Sequence, residues 1–118
     1  MTDKRESREQ SVYGVWVDMS TLRREALGPL FGRISLALRG PVDALWQESC
    51  FFVRRDLEAF SRFHLDLPGG QISFTFRLTD SLAEVQAVLQ RLELFVELAN
   101  LHATSVAASA HEGLRMRA

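Results

Sequence analysis

The chain is poor in the residues from which covalent and metal-centred sites are built. Among its 118 residues there is one cysteine, Cys50, so no disulfide can form within the chain. The three histidines, His64, His102 and His111, lack the close spacing at which metal ligands converge. The sequence contains no glycine-rich phosphate-binding loop and no nucleophile motif. We therefore predict no metal, no cofactor and no enzymatic activity.

An excess of one charge and long apolar runs are also missing. The chain has 14 arginine and lysine residues against 15 acidic ones, a formal net charge of -1. Nucleic-acid-binding domains carry a clear basic excess, so we expect no nucleic-acid partner. No apolar run approaches the ~20 residues that span a bilayer, and the opening MTDKRESREQ lacks the apolar core of a secretory signal. These absences predict a cytoplasmic protein that does not bind membranes.

The composition that remains is ordinary for one globular domain. Hydrophobic residues make up 47% of the chain and charged residues 25%, and the length suffices for one core but not for two. Residues 1–10 contain no apolar residue after Met1 and are predicted to form a disordered arm. We predict a single domain over 11–104 and a flexible C-terminal tail over 105–118.

Three segments have the alternation of apolar and polar residues that is typical of strands. The alternation is strict over 71–78, clear over 33–39, and looser over 11–19. One apolar face per strand favours an antiparallel sheet whose other face meets water. The residues predicted to face the core are Tyr13, Val15, Val17, Met19, Ile34, Leu36, Leu38, Ile72, Phe74, Phe76 and Leu78.

A long helix is predicted to follow the third of these strands after a very short connection. Ser81 and Glu84 have the spacing of a capping box, which satisfies the first backbone N–H groups of a helix. From there to about Leu101, apolar residues recur every three or four positions. Since the connection is short, the helix should fold back and cover the apolar face of its own strand. The apolar positions are Leu82, Val85, Val88, Leu89, Leu92, Phe95, Val96 and Ala99.

Two segments admit alternative interpretations. Residues 20–32 contain either a short helix over 21–27 or the second half of a bent hairpin. Residues 43–64 form either one helix, or a strand LWQESCFFVR followed by a helix from Asp56. We favour the strand followed by the helix, because Cys-Phe-Phe-Val has a high strand propensity and aspartate is a good helix N-cap. The predicted fold class is α+β, an antiparallel sheet of about four strands with two helices packed on one face.

Cys50 is the only residue that could act as a thiol nucleophile. A cysteine nucleophile needs a neighbouring base, usually a histidine, and nothing in the spacing brings Cys50 beside one. Because Cys50 is followed by two phenylalanines, we interpret it as a buried structural residue. The alternative function is a small-ligand-binding protein or enzyme with a pocket between sheet and helices, using Cys50 or His64.

Large aromatic residues suggest an interaction surface. They are more numerous than a small sheet covered on one face can easily bury, and exposed aromatics mark partner sites. The long helix also has a wider apolar stripe than one sheet requires, which favours a homodimer. We predict a small non-enzymatic protein-binding or adaptor module that recognises a protein partner through an aromatic and apolar surface. The predicted partner-binding residues are Trp16, Trp46, Phe52 and Arg54.

Overall fold

A four-stranded antiparallel sheet and two helices make up the fold. The computed structural model describes residues 13–56, 60, 62–66 and 69–117, with the side chains of all these except Asp56 and residues 110–117. The order across the sheet is β1-β2-β4-β3, and every neighbouring pair is antiparallel. The predicted α+β class is therefore confirmed. In chain order the elements are β1 (Trp16–Ala26), β2 (Phe31–Arg39), α1 (Ala44–Asp56), β3 (His64–Asp66), β4 (Gln71–Arg77) and α2 (Leu82–Arg117).

The core lies between one face of the sheet and the two helices. The alternating residues of β2 and β4 are buried as predicted, and they form one cluster with buried residues of both helices. Burial of each large apolar side chain contributes roughly 1.5–3 kcal/mol. Met19, Leu78 and Leu82 were predicted to be buried but are exposed, because each lies at or beyond the margin of the sheet. The buried strand residues are Ile34, Leu36, Leu38, Ile72, Phe74 and Phe76; those of α2 are Val88, Leu92, Phe95, Val96, Ala99 and Ala103.

Aromatic rings join α2 to the sheet. The ring centroid of Phe63, just before β3, lies 6.1 Å from that of Phe74 on β4 and 5.7 Å from that of Phe95 on α2. Phe60 lies 5.5 Å from the same Phe95 ring. Pairs at these separations add about 0.5–1.5 kcal/mol beyond the area they bury. The helix that follows β4 therefore covers the apolar face of the sheet, as its short connection predicts.

The first strand is longer than predicted and contains an irregularity. Residues 21–26 continue β1, so they form neither the short helix nor the second half of a hairpin, which is strand β2. The pairing with β2 shifts register between Asp18 and Arg23. There the Thr21 hydroxyl accepts a hydrogen bond from the Ala37 N–H at 2.8 Å and donates one to the Asp18 carbonyl at 2.6 Å. The hydroxyl thus bridges two backbone groups that a regular ladder would join directly.

The favoured prediction for residues 43–64 is wrong. Residues 44–56 form helix α1, and His64 lies in strand β3, where the end of a helix was predicted. Asp43 caps α1 by accepting a hydrogen bond from the Trp46 N–H at 3.0 Å, and its other oxygen accepts one from the Tyr13 hydroxyl at 2.8 Å. The buried residues of α1 recur every three or four positions, so tertiary packing outweighs the strand propensity of Cys-Phe-Phe-Val. These residues are Trp46, Ser49, Cys50 and Val53.

The second helix begins where predicted and runs further. The Glu84 N–H donates to the Ser81 hydroxyl at 3.2 Å, and that hydroxyl lies 3.2 Å from the Glu84 carboxylate. The helix continues past Leu101, where its apolar repeat was predicted to end, to Arg117. The flexibility of 105–118 stays a prediction, and the predicted arm over 1–10 lies outside the described residues. No helix in the described part of the chain is both long enough and apolar enough to cross a bilayer.

Candidate protein-binding surfaces

Asn100 on α2 holds three elements together through its side-chain amide. Its carbonyl oxygen accepts hydrogen bonds from the Val15 N–H at 3.1 Å and from the Trp46 indole N–H at 2.9 Å. Its NH₂ group donates to the Val15 carbonyl at 2.7 Å. The amide therefore pairs with the backbone of Val15 much as a neighbouring strand would. Sequence reasoning missed this residue; its only signal was a polar amide next to the buried Ala99.

Trp46 was predicted to bind a partner, but the structure places it in the core. Its side chain is fully buried, and its indole N–H is satisfied by Asn100. The prediction assumed that Trp46 lay on a strand with an open face. On α1 it belongs to the buried stripe, so it is not part of any surface of the chain.

Cys50 is also fully buried. Burial raises the pKa of its thiol to about 12, although the nearby Arg54 guanidinium lowers it in part. His64 is exposed on β3, opposite Ser73 in the register, and the apolar face of the sheet separates it from α1. The structure therefore does not bring these two residues together as nucleophile and base.

A first exposed surface lies on the helical layer. Phe52 stacks on His102 of α2 with ring centroids 4.3 Å apart, and Phe51 beside it is 56% exposed. The guanidinium carbon of Arg54 lies 5.9 Å from the Phe51 ring centroid, and that of Arg55 lies 5.6 Å from the Phe52 ring centroid. We call this the helical surface and define it by Phe51, Phe52, Arg54, Arg55, Leu94, Leu101 and Val106, whose apolar members are all exposed.

A second surface is a groove between the first strand and the second helix. This β1–α2 groove has a volume of about 510 Å³. Trp16, which is 54% exposed, contributes to it from β1, and Glu93 and Glu97 contribute from α2. The remaining lining residues are Gly14, Val15, Val17, Val96 and Asn100.

The predicted partner-binding residues consequently do not form one patch. Trp16 lines the β1–α2 groove, whereas Phe52 and Arg54 lie on the helical surface, and Trp46 is buried. Helical spacing explains the separation: positions that differ by three or four share a side of α2. Glu93, Glu97 and Asn100 therefore lie on one side of the helix, and Leu98, His102 and Val106 lie on another.

The open face of the sheet is largely polar, and two of its arginines form salt bridges. Arg33 forms a salt bridge with Glu25, and the Arg39 Nε lies 3.2 Å from an Asp18 carboxylate oxygen. The pKa of Asp18 is lowered, chiefly by the hydrogen bond from the Ser20 hydroxyl and further by Arg39, against a smaller opposing effect of desolvation. Such exposed pairs contribute little to stability, but they offset the positive charges of Arg33 and Arg39.

Among the described residues, no three histidine, cysteine or acidic side chains are placed to hold a metal ion. No protein family, no curated protein and no solved structure matches the chain.

Proposed function

We propose that this chain is a non-enzymatic protein-binding module that forms a homodimer through its helical surface. The observation that carries this proposal is the exposed pair Phe51 and Phe52 with an arginine guanidinium over each ring. Aromatic residues and arginine are enriched in the centres of protein interfaces, and they account for most of the binding energy there.

The second helix continues this surface. Leu94 and Leu101 lie seven positions apart on the side of α2 that faces away from the sheet, and Leu101 is 66% exposed. Seven-residue spacing brings side chains back to the same face of a helix, the pattern through which helices of two copies pack together. Each Å² of apolar surface removed from water in such contacts contributes about 25 cal/mol.

A second copy is the partner that this surface fits best. In a two-fold dimer the same patch meets itself, so Phe51 and Leu101 of one copy would pack against apolar residues of the other. The arginines lie at the margin of the apolar area, where an interface normally has its polar rim. Leu98, partly buried between the exposed leucines, makes the apolar strip continuous along α2.

The alternative function, an enzyme or ligand-binding protein that uses Cys50 or His64, has no observation in its favour. A thiol with a pKa near 12 is almost wholly protonated at neutral pH, and the thiolate is the reactive form. His64 lies on the other side of the sheet from Cys50.

Sedimentation velocity over a range of concentrations tests the proposal. The wild-type chain should form a dimer, and Phe51→Ser and Leu101→Glu should each shift it towards monomer, because they place polar groups in the interface. Leu82→Glu is the matched control: Leu82 is 74% exposed but lies in the first turn of α2, where an acidic residue is favoured. A wild-type chain that stays monomeric at every concentration overturns the homodimer.

A further inference from the structure

We propose that the β1–α2 groove binds an extended basic segment of a partner protein, which adds as a strand to the free edge of β1 at Val17. β1 is an edge strand of the sheet, so only β2 pairs with it among the described strands. Edge strands accept added strands because half of their backbone groups point away from the sheet. The site uses the edge of β1, which is no part of the helical surface, and it does not depend on self-association.

The hydrogen bonds around β1 show which backbone groups point outward. In an antiparallel strand, the N–H and C=O of one residue point to the same side, and those of the next residue point to the other. Both groups of Val15 bond to Asn100, away from β2. By alternation, the N–H and C=O of Val17 point in the same outward direction.

Two bonds on the β2 side agree with this orientation. The Leu38 N–H, opposite Val17 in the register, donates to the Gly70 carbonyl at 2.7 Å and so points away from β1. The Asp18 carbonyl points towards β2, where it accepts the hydrogen bond from Thr21. The Val17 groups are therefore directed to the edge beside the groove.

An added strand would lie along the same edge of β1 at which Asn100 pairs with Val15. Its amide occupies the outward groups of Val15, and the groups of Val17 come next along the same edge. Both valines and Asn100 line the groove, so a peptide lying there can reach the Val17 backbone. The volume of about 510 Å³ lies within the range of natural ligand sites.

The negative charge of the groove favours a basic segment as its occupant. Glu93 and Glu97 are exposed one helical turn apart, and neither has a salt bridge or hydrogen-bonded side-chain partner among the described residues. Trp16 offers an exposed indole, and aromatic faces attract guanidinium and ammonium groups. A basic side chain of the segment on the α2 side can therefore meet the carboxylates, and a neighbouring side chain on the open face can meet the Trp16 ring, while the backbone between them pairs with Val17.

Fluorescence anisotropy with designed peptides tests the proposal. The probe is a short, capped, dye-labelled peptide that alternates valine and arginine; the reference peptides carry glutamine or glutamate in place of arginine. The arginine peptide should bind, more weakly as salt is raised, and the glutamate peptide should not. No binding of the arginine peptide, or equal binding of all three, overturns the proposal.

Variants of the chain test the two parts of the site separately. Val17→Pro removes the outward N–H, which edge strands tolerate, and should abolish binding, while Val17→Ala trims the side chain and should retain it. The double variant Glu93→Gln with Glu97→Gln should bind about tenfold more weakly. Its control is Glu48→Gln, which alters an exposed glutamate of α1 outside the groove.

Binding measurements on these variants distinguish the basic segment from other occupants of the β1 edge. Full binding by Val17→Pro shows that the edge is not used and refutes the proposal; if that variant does not fold, wild-type affinity of the double glutamine variant refutes it instead. A second copy of the chain is the other possible occupant of the edge. A dimer that Val17→Pro dissociates and the arginine peptide leaves intact would assign the edge to that second copy and overturn the proposal.

Discussion

Replacement of Asn100 by alanine tests the central polar contact of the fold. The change removes three hydrogen bonds at once, two to the Val15 backbone and one to the Trp46 indole. The indole N–H is fully buried, and an unsatisfied buried donor costs about 1–3 kcal/mol. The Val15 groups border the open groove and can bind water in part, so each of their bonds contributes about 1 kcal/mol.

Before any change in helix propensity, we therefore expect Asn100→Ala to lower the free energy of unfolding by about 3–5 kcal/mol, a large part of the ~5–15 kcal/mol of a typical domain. The greater helix propensity of alanine offsets this by roughly 0.5 kcal/mol. The assay is guanidinium denaturation followed by circular dichroism, with the midpoint and slope compared with those of the wild type. Gln90→Ala, at an exposed position of α2, is the control and should change stability by less than about 0.5 kcal/mol.

A double-mutant cycle identifies the bond to the indole. Trp46→Phe removes the buried N–H itself, so Asn100→Ala should cost about 1–2 kcal/mol less in that background than in the wild type. Additive effects of the two changes would show that the indole bond contributes nothing. If Asn100→Ala alone stays within about 0.5 kcal/mol of the wild type, the role assigned to Asn100 is wrong.

Three further outcomes follow from individual contacts. Cys50, with its pKa raised to about 12 by burial, should react very slowly with a thiol reagent at neutral pH in the native chain and rapidly in denaturant; fast native reaction would contradict its burial. Thr21→Val should destabilise the fold by about 1–2 kcal/mol, because the Ala37 N–H and the Asp18 carbonyl lose their bridge, while Thr21→Ser should retain most of the stability in thermal unfolding. The lowered pKa of Asp18 means that its carboxylate favours the folded state above the ordinary pKa of aspartate, and this contribution disappears as pH falls through the lowered value. NMR titration should show that pKa below the ordinary value, and Ser20→Ala should bring it back towards that value.

The strands and the start of α2 could be predicted because their signals are local. The alternation over 71–78 allows only one face of β4 to be buried, and Ser81 with Glu84 satisfies the first turn of α2 without help from the rest of the chain. The end of α2 was less clear, because serine, threonine and valine after Leu101 weaken helix propensity.

For helix α1, the local sequence pattern favoured the wrong secondary structure. Cys50 and the two phenylalanines after it favour a strand when considered alone. Asp43 caps a helix at this point, and burial of Trp46 and Val53 on one side of it outweighs the preference of the residues between them. That preference amounts to at most about 1 kcal/mol, less than the burial of a single tryptophan provides.

The candidate surfaces, too, could be predicted from the sequence only in part. The sequence alone predicted an aromatic and apolar surface with Trp16, Trp46, Phe52 and Arg54, since it contains more large aromatic residues than a small sheet can easily bury. It could not tell that Trp46 is buried and that the other three are divided between β1 and the helical layer, because these positions depend on which sides of α2 meet α1 and β1.

By itself, therefore, the sequence determined the class of fold, the core faces of the strands and the helix that covers them, because each depends on periodicity within a few neighbouring residues. Only the tertiary structure decided that 44–56 is a helix, that Trp46 is buried, and that Asn100 pairs with the edge at Val15. The physical reason is distance along the chain: Asn100 and Val15 are 85 residues apart, and no local pattern encodes a hydrogen bond between them.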